Sequence, residues 1–387
     1  MLMKRFVVAA CVSSSLFAFV ACNRAADDAV PAAEAESTGG EVLAQDSLAT
    51  FVANPTDTEP LMDFTNANFE ALQKEMSGPS EVTQKHIEGI RKSIAGVDPG
   101  DNEQAAGLLN SIEKSLQVFE FRLVAKGFTL DEVQAKVTEN PSDVEAIDLY
   151  AVKIDMVSSE MHDDIPQMEA FVKNEADFIV SNAEKVDDSK VKIAYRKAAI
   201  VLQSIAQDVD RLKSYEKIIG NEMTPIDAQA WVNGDGFTPE ELEGKVILLD
   251  FWAVWCGPCV AGFPHMIEWQ EEYGEEGLQV IGITRYFNFD WPEGAEGPGQ
   301  VEDGEVPPAQ EEAMLNKFVA EHGLKHPTAL VADPDQFYES YAVSVIPHMV
   351  LIGRDGKIRK VVGGIGEAGI KSLDEAIQKA LAEPAPQ

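Results

Sequence analysis

The sequence predicts an α/β domain, a central mixed sheet with helices on both faces, preceded by an all-helical domain. Three observations predict it. At 387 residues, the chain is long enough for two folded domains of roughly 100–200 residues each. From about residue 57 to 220 apolar residues recur at three- and four-residue steps, the stripe of packed helices. From about 223 onward strand-type runs alternate with helix-type runs, which implies a sheet covered on both sides.

The elements of the second domain follow in order. Pro225 to Asp235 reads as extended, with Trp231 inside it and the turn Asn233-Gly234-Asp235-Gly236 at its end. A strand at 245–252 leads to a helix at 259–273, and a strand at 278–284 to a helix at about 310–322. A strand at 327–332 comes next. Strands at 348–353 and 357–362 flank Arg354-Asp355-Gly356, an Asp-Gly turn that joins them as an antiparallel hairpin. A closing helix runs from about 366 to 382.

One segment breaks the alternation. Tyr286 to Gln310 is rich in Gly, Pro and acids, with Phe287, Phe289 and Trp291 at its start. A loop this long inside a compact domain is often functional. Its aromatics predict either a lid or docking surface near the strand–helix junction at 252–259, or a cover over the edge of the core.

In the helical domain, 57–222, Pro141-Ser142-Asp143 opens a helix bearing Val144, Ile147, Tyr150 and Ile154 on one face. Ala194, Ala198, Val201, Ile205, Leu212, Tyr215 and Ile219 mark a long helix ending at Gly220. His86 stands alone on a polar stretch. His162 beside Asp163 and Asp164 could hold a metal, but a solvated helix start explains the same three residues. Nothing in this domain names a chemistry.

Trp255-Cys256-Gly257-Pro258-Cys259 does name one. It follows the apolar run Val246 to Trp252 and precedes the helical turn at Val260. A dithiol there sits at a helix N-terminus, where unpaired N–H groups and the helix dipole stabilise a thiolate. The first cysteine can attack a disulfide at neutral pH. The second, one helical turn on, can resolve the mixed disulfide.

The other cysteines are Cys11 and Cys22, both near the N-terminus. Lys4 and Arg5 precede an apolar segment, Phe6 to Ala21, of signal-peptide length and short for a spanning helix. It ends in Phe19-Val20-Ala21-Cys22, which resembles the lipobox of bacterial lipoproteins, although Phe19 stands where Leu is usual. The expectation is a signal peptide over 1–22 that ends at a lipidated Cys22, then a flexible acidic tether over 23–56. Cleavage as an ordinary signal and retention as an anchor are the alternatives. All three place the remainder outside the cytoplasm, in the cell envelope. With Cys22 lipidated, Cys256 and Cys259 are the thiols that remain.

The formal net charge is −35, from 31 basic and 66 acidic residues. That excludes nucleic acid as a natural partner. It also disfavours docking on anionic lipid, so a lipid anchor and not a basic patch would hold the chain at a membrane.

The second domain resembles the thioredoxin superfamily, in its envelope-anchored thiol–disulfide branch of the TlpA/ResA type. The likeness covers about 223–382. It rests on Gly244-Lys245-Val246, Asp250-Phe251-Trp252-Ala253, the Trp255–Cys259 run, Phe263-Pro264, Ile346-Pro347 and Asp355-Gly356-Lys357-Ile358. The resemblance implies a thioredoxin-like fold and these roles. Cys256 is the exposed attacking thiol and Cys259 the buried resolving one. Asp250 is a buried acid that moves protons to and from Cys259, its pKa raised by burial. Trp255 shields the pair, with Gly257 and Pro258 between the cysteines. Pro347 is a cis-proline facing the dithiol and frees the Ile346 backbone to pair with substrate. Two departures stand out. Gly262 occupies a position where many members of this branch carry Glu, and they often lack an acid where this chain has Asp250. His348 follows Pro347 where Thr is common, and either tunes the thiolate or packs beside the hairpin.

Three rivals compete. A zinc site would need His265 and His348 to complete Cys256 and Cys259, because no second Cys pair exists. A peroxidase shares the fold class but resolves differently. A binding or scaffold lipoprotein would work through its helical domain, with an accessory redox domain. The sequence favours a thiol–disulfide oxidoreductase with no cofactor beyond its own dithiol. Its expected partners are disulfide- or thiol-bearing envelope proteins and a membrane electron donor. The Gly-Pro dipeptide resembles that of thioredoxin, at about −270 mV, more than strong oxidants at about −120 mV, so the expected direction is reduction or exchange.

Overall fold

The computed structural model describes residues 40–384, except 162, 163, 296 and 365. Cys11, Cys22, the signal-type segment and the first part of the tether fall outside the described residues, as do His162 and Asp163. Among the described residues no helix is long and apolar enough to cross a membrane. The chain divides into two compact units, with the division between Leu212 and Lys213.

The first unit is helical throughout its described length: α1 Gln45–Ala53, α2 Glu59–Glu75, α3 Ser80–Ile94, α4 Glu103–Lys126, α5 Leu130–Glu139, α6 Val144–Ser159, α7 Ile165–Ala183 and most of α8 Ser189–Ile218. Local signals set several starts. Asn102 and Asp143 accept the first free backbone N–H groups of α4 and α6, and Thr129 with Glu132 forms a capping box on α5. Asp164 caps α7 through the Gln167 N–H. One core joins α1 to α4 around Leu61, Phe64, Leu72 and Ile87. A second joins the end of α4 to α8 around Ile147, Tyr150, Ile154, Ala198 and Ile205.

Three expectations are corrected here. The tether does not extend to 56, because α1 buries Leu48 and Phe51 in the first core. An acidic average hid that Leu48 and Phe51 lie three apart on one helical face. His86 is not a lone polar residue. It is fully buried, with Nδ1 3.0 Å from Glu75 and Nε2 2.9 Å from Asn68. Its neighbours Thr83, Ile87 and Ile90 form the inward face of α3. The stripe on α8 holds from Ala194 to Tyr215 but not to Ile219, which is exposed.

The domain boundary also moves, from 222/223 to 212/213. The last turn of α8 packs within the second unit, where the Tyr215 ring meets the His348 ring edge-on at 5.3 Å. The chain beyond it then ties to the final hairpin. Gly220 N–H donates to Ile358, Met223 N–H to Gly356, and Asn221 accepts from Ile358 N–H.

The second unit holds β1 Ala228–Val232, the short α9 Pro239–Leu242, β2 Val246–Phe251, α10 Gly257–Tyr273, β3 Leu278–Thr284, β4 Phe289–Asp290, β5 Gly299–Gln300, α11 Pro308–Glu321, β6 Thr328–Val331, α12 Pro334–Ser340, β7 His348–Ile352, β8 Ile358–Gly363 and α13 Glu367–Ala382. Its sheet runs β1-β6-β3-β2-β7-β8. β2 pairs parallel with β3, and β3 with β6, whereas β1, β7 and β8 pair antiparallel. The result is the predicted mixed sheet, with β2 wholly buried at its centre. Gly356, at φ +77°, makes the predicted hairpin turn.

Register assigns the faces. Asp250 pairs with Met349 and Phe251 with His348. Met349 packs with Met266, Trp269 and Leu373, so α10 and α13 cover the Asp250 face. Phe251 meets Phe337 and Tyr341 on the opposite face, beneath α12.

Candidate active site

β2 brings the chain to the site and stops abruptly. Trp252 N–H donates to Ile283 at 3.0 Å, and the Thr284 hydroxyl donates to the Trp252 carbonyl at 2.9 Å. The Trp252 ring is fully buried, edge-on to Phe263 and stacked on Phe318. These contacts fix the strand end, and four residues later Cys256 begins α10. Cys256 N–H closes the intervening turn on Ala253 at 3.0 Å.

Cys256 is the N-cap of α10. Its sulfur accepts the Cys259 N–H at 3.2 Å, and its carbonyl accepts the Val260 N–H at 3.1 Å. Ser or Asp commonly holds this position because an oxygen acceptor there satisfies an otherwise free N–H. Here the acceptor is a sulfur, and the same donor favours its negative form. Pro258 falls in the first turn, where a missing N–H costs nothing. Cys256 and Cys259 are joined as a disulfide, with Cα atoms 5.3 Å apart.

The two cysteines do not differ in exposure as expected. Cys256 is 4% exposed and Cys259 2%. In this disulfide form the attacking position is therefore covered, while Trp255 beside it is 51% exposed.

Asp250 is buried on the α10 face, and burial alone pushes its carboxyl up to about 7. Its partner on β3 is Gly282. A Cβ at 282 would stand 2.3 Å from Thr328 Oγ1 and 2.8 Å from Trp252 Nε1, so only glycine fits beside the acid.

His348 is placed elsewhere. Its ring is fully buried on the Phe251 face, away from Asp250, with Phe251 edge-on at 5.4 Å. Nε2 lies 3.0 Å from the Tyr341 carbonyl, which can only accept, so Nε2 carries a proton. Nδ1 faces the Tyr215 hydroxyl at 3.5 Å. These contacts fit the packing alternative for His348. His265, the other histidine considered beside the cysteines, is 3.8 Å from Glu268 and tilts against Trp269. The Ile346–Pro347 peptide bond is cis, and the Pro347 carbonyl accepts the Gly364 N–H at 2.8 Å.

Phe287 stands edge-on to Trp255 at 5.4 Å, so one aromatic of the run read as a lid or docking surface near the dithiol lies beside Trp255. Sequence reasoning missed one neighbour of His348. Tyr215 reaches His348 from 133 residues away, a separation with no local signal.

The Redoxin family model matches residues 219–377. ResA, a thiol-disulfide oxidoreductase of Halalkalibacterium halodurans, is 29% identical over 149 residues, covering 38% of this chain and 70% of the relative. Its namesake in Bacillus subtilis is 26% identical over 132 residues, covering 34% of this chain and 60% of the relative. Among solved structures, a thiol:disulfide interchange protein DsbE of Chlorobium tepidum aligns with 26% identity and a TM-score of 0.32, covering 42% of this chain and 98% of that one. The matches to the two ResA proteins span about 60–70% of their lengths and leave the helical unit unmatched. The motif residues, the strand that carries them and the family match agree: the C-terminal unit is a redoxin domain of the thioredoxin superfamily, similar to the ResA thiol–disulfide oxidoreductases.

Proposed function

We propose that this protein reduces or exchanges disulfides of other envelope proteins through Cys256 and Cys259. One observation carries the reading: a cysteine sulfur caps a helix N-terminus and accepts the N–H of its partner cysteine, with a buried carboxyl on the preceding strand.

The chemistry follows from that arrangement. In the dithiol form the Cys256 thiolate attacks one sulfur of a substrate disulfide. The substrate S–S bond breaks, and its departing thiolate takes a proton. Cys259 then loses its proton to the Asp250 carboxylate and attacks Cys256 Sγ. The mixed disulfide breaks, the second substrate thiol leaves with the proton, and the Cys256–Cys259 disulfide remains. Two electrons and two protons must return to the pair, and a membrane electron donor is the proposed source. The dithiol carries both electrons itself, so the cycle needs no further cofactor. The Gly257-Pro258 dipeptide supports the reducing direction, and Ile346 and Pro347 are the proposed positioning residues for the substrate backbone.

Location belongs to the same proposal. The segment from Lys4 to Cys22 supports lipid attachment at Cys22 and an extracytoplasmic site. Mass spectrometry of the mature N-terminus should find a diacylated Cys22. A free N-terminus at any other residue contradicts the anchor.

Two further outcomes are expected. Cys256→Ser should abolish insulin reduction, and Cys259→Ser should accumulate mixed disulfides, read by non-reducing electrophoresis. Retention of most activity by Cys256→Ser contradicts the mechanism.

Asp250 ties activity to stability. Its carboxyl ordinarily titrates near 3.8, and in the folded chain at about 7. Between these values the folded state binds the extra proton. The wild type should therefore lose stability as pH rises from about 4 to about 7, on the order of 4 kcal/mol in all. Asp250→Asn should lack that slope and be the more stable protein at pH 8, by urea unfolding of the redox unit. It should also slow resolution by Cys259 while leaving attack by Cys256 intact, by stopped-flow kinetics. Equal pH slopes, or unchanged resolution, assign the proton to another group.

A further inference from the structure

Hydrogen bonds tie the described residues of the segment Tyr286–Gln310 to one another and to α11. The buried Glu311 carboxylate accepts the Phe287 N–H at 2.7 Å and the Asn288 N–H at 3.2 Å. Asn288, at φ +65°, donates from its side chain to the carbonyls of Val301 and Gly304 and accepts the Val306 N–H at 2.7 Å. β4 and β5 pair within the same excursion. Phe289 is buried and covers the core edge, as one sequence reading had it.

Phe287 serves a different purpose. Pinned by Glu311, it stands against the exposed Trp255 indole. The Arg285 guanidinium lies over the Phe287 ring at 5.1 Å and over the Tyr338 ring at 5.7 Å, while paired to Asp335. A continuous ledge thus runs from the residue before Cys256 through Phe287 and Arg285 to α12.

We propose that this ledge, with the acidic hairpin beyond it, docks the polypeptide flanking a substrate's cystine, and that the preferred flank is basic. The inference rests on the oxidoreductase reading and adds the substrate class. Continuity with the dithiol is the first argument: a polypeptide that delivers a sulfur to Cys256 must lay its neighbouring residues across Trp255. Charge is the second. Residues 286–310 hold six acids and no Lys or Arg and α12 adds Glu339, against Arg285, which is paired with Asp335, and the Lys317 ammonium over the Trp291 ring. A second copy of this chain, at a net charge of −35, is repelled from such a surface.

The test uses the full chain, hydroxyethyl disulfide as a small probe, and two synthetic cystine peptides of equal length, one flanked by Lys and one by Glu. At low ionic strength the Lys-flanked peptide should be favoured about tenfold or more in kcat/KM, and the preference should shrink in high salt. Phe287→Ala should lower the peptide-to-hydroxyethyl-disulfide ratio of kcat/KM about three- to tenfold, with partial recovery in Phe287→Leu. Turnover of the small probe by each variant reports an intact dithiol. Equal use of the two peptides at low salt overturns the charge preference, and an unchanged ratio in Phe287→Ala overturns the ledge. A wild-type chain that reduces neither probe nor peptide contradicts the oxidoreductase reading instead.

Discussion

The hydrogen bond from the Cys259 N–H to the Cys256 sulfur is the contact on which the site depends. It forms because the helix begins at Cys256 and nowhere else. One residue earlier, the first cysteine would be a helical residue whose sulfur could not reach the free N–H groups. The buried β2 and the Trp252 anchors set where the strand ends. The closed turn Ala253–Cys256 sets where the helix starts, and Pro258 is tolerated only inside that first turn. The sheet order is thus a device for aiming one helix N-terminus.

The second constraint is the cost of Asp250. Burying a carboxyl without a counter-charge is unfavourable, and burial accordingly raises the Asp250 carboxyl to about 7, toward its neutral form. Gly282 contributes to it. A larger residue would displace Thr328 or Trp252, and a basic one would hold Asp250 ionised. A proton acceptor that must also release its proton is served by this balance. With the proposed proton-transfer role of Asp250, activity and instability have one source, a trade expected at catalytic sites.

Much of this was legible in the sequence because its signals are local. The alternation of strand and helix, the Asp355-Gly356 turn and the Trp255–Cys259 run each declare themselves within a few residues. β3 is predicted at the bounds observed, and α10 within two residues of its start. Features that depend on distant partners were not legible. α12, seven residues long, is fixed by its packing over Phe251. α1 hid in an acidic stretch because two apolar side chains suffice to bury it. His86 looks polar until Glu75 and Asn68 enclose it. Which face His348 takes after the cis-proline was not legible, because the pairing of Phe251 with His348 is a matter of register.

The most direct test of the central contact is the pKa of the Cys256 thiol in the reduced protein, read from thiolate absorbance near 240 nm. An ordinary cysteine titrates at about 8.5, and helix N-termini in Cys-x-x-Cys sites lower that value to about 7 or below. This account predicts a Cys256 pKa of about 7, well under the ordinary value. A Cys256 thiol that titrates at about 8.5 or higher would contradict it, because the helix N-terminus would then not be stabilising the attacking sulfur.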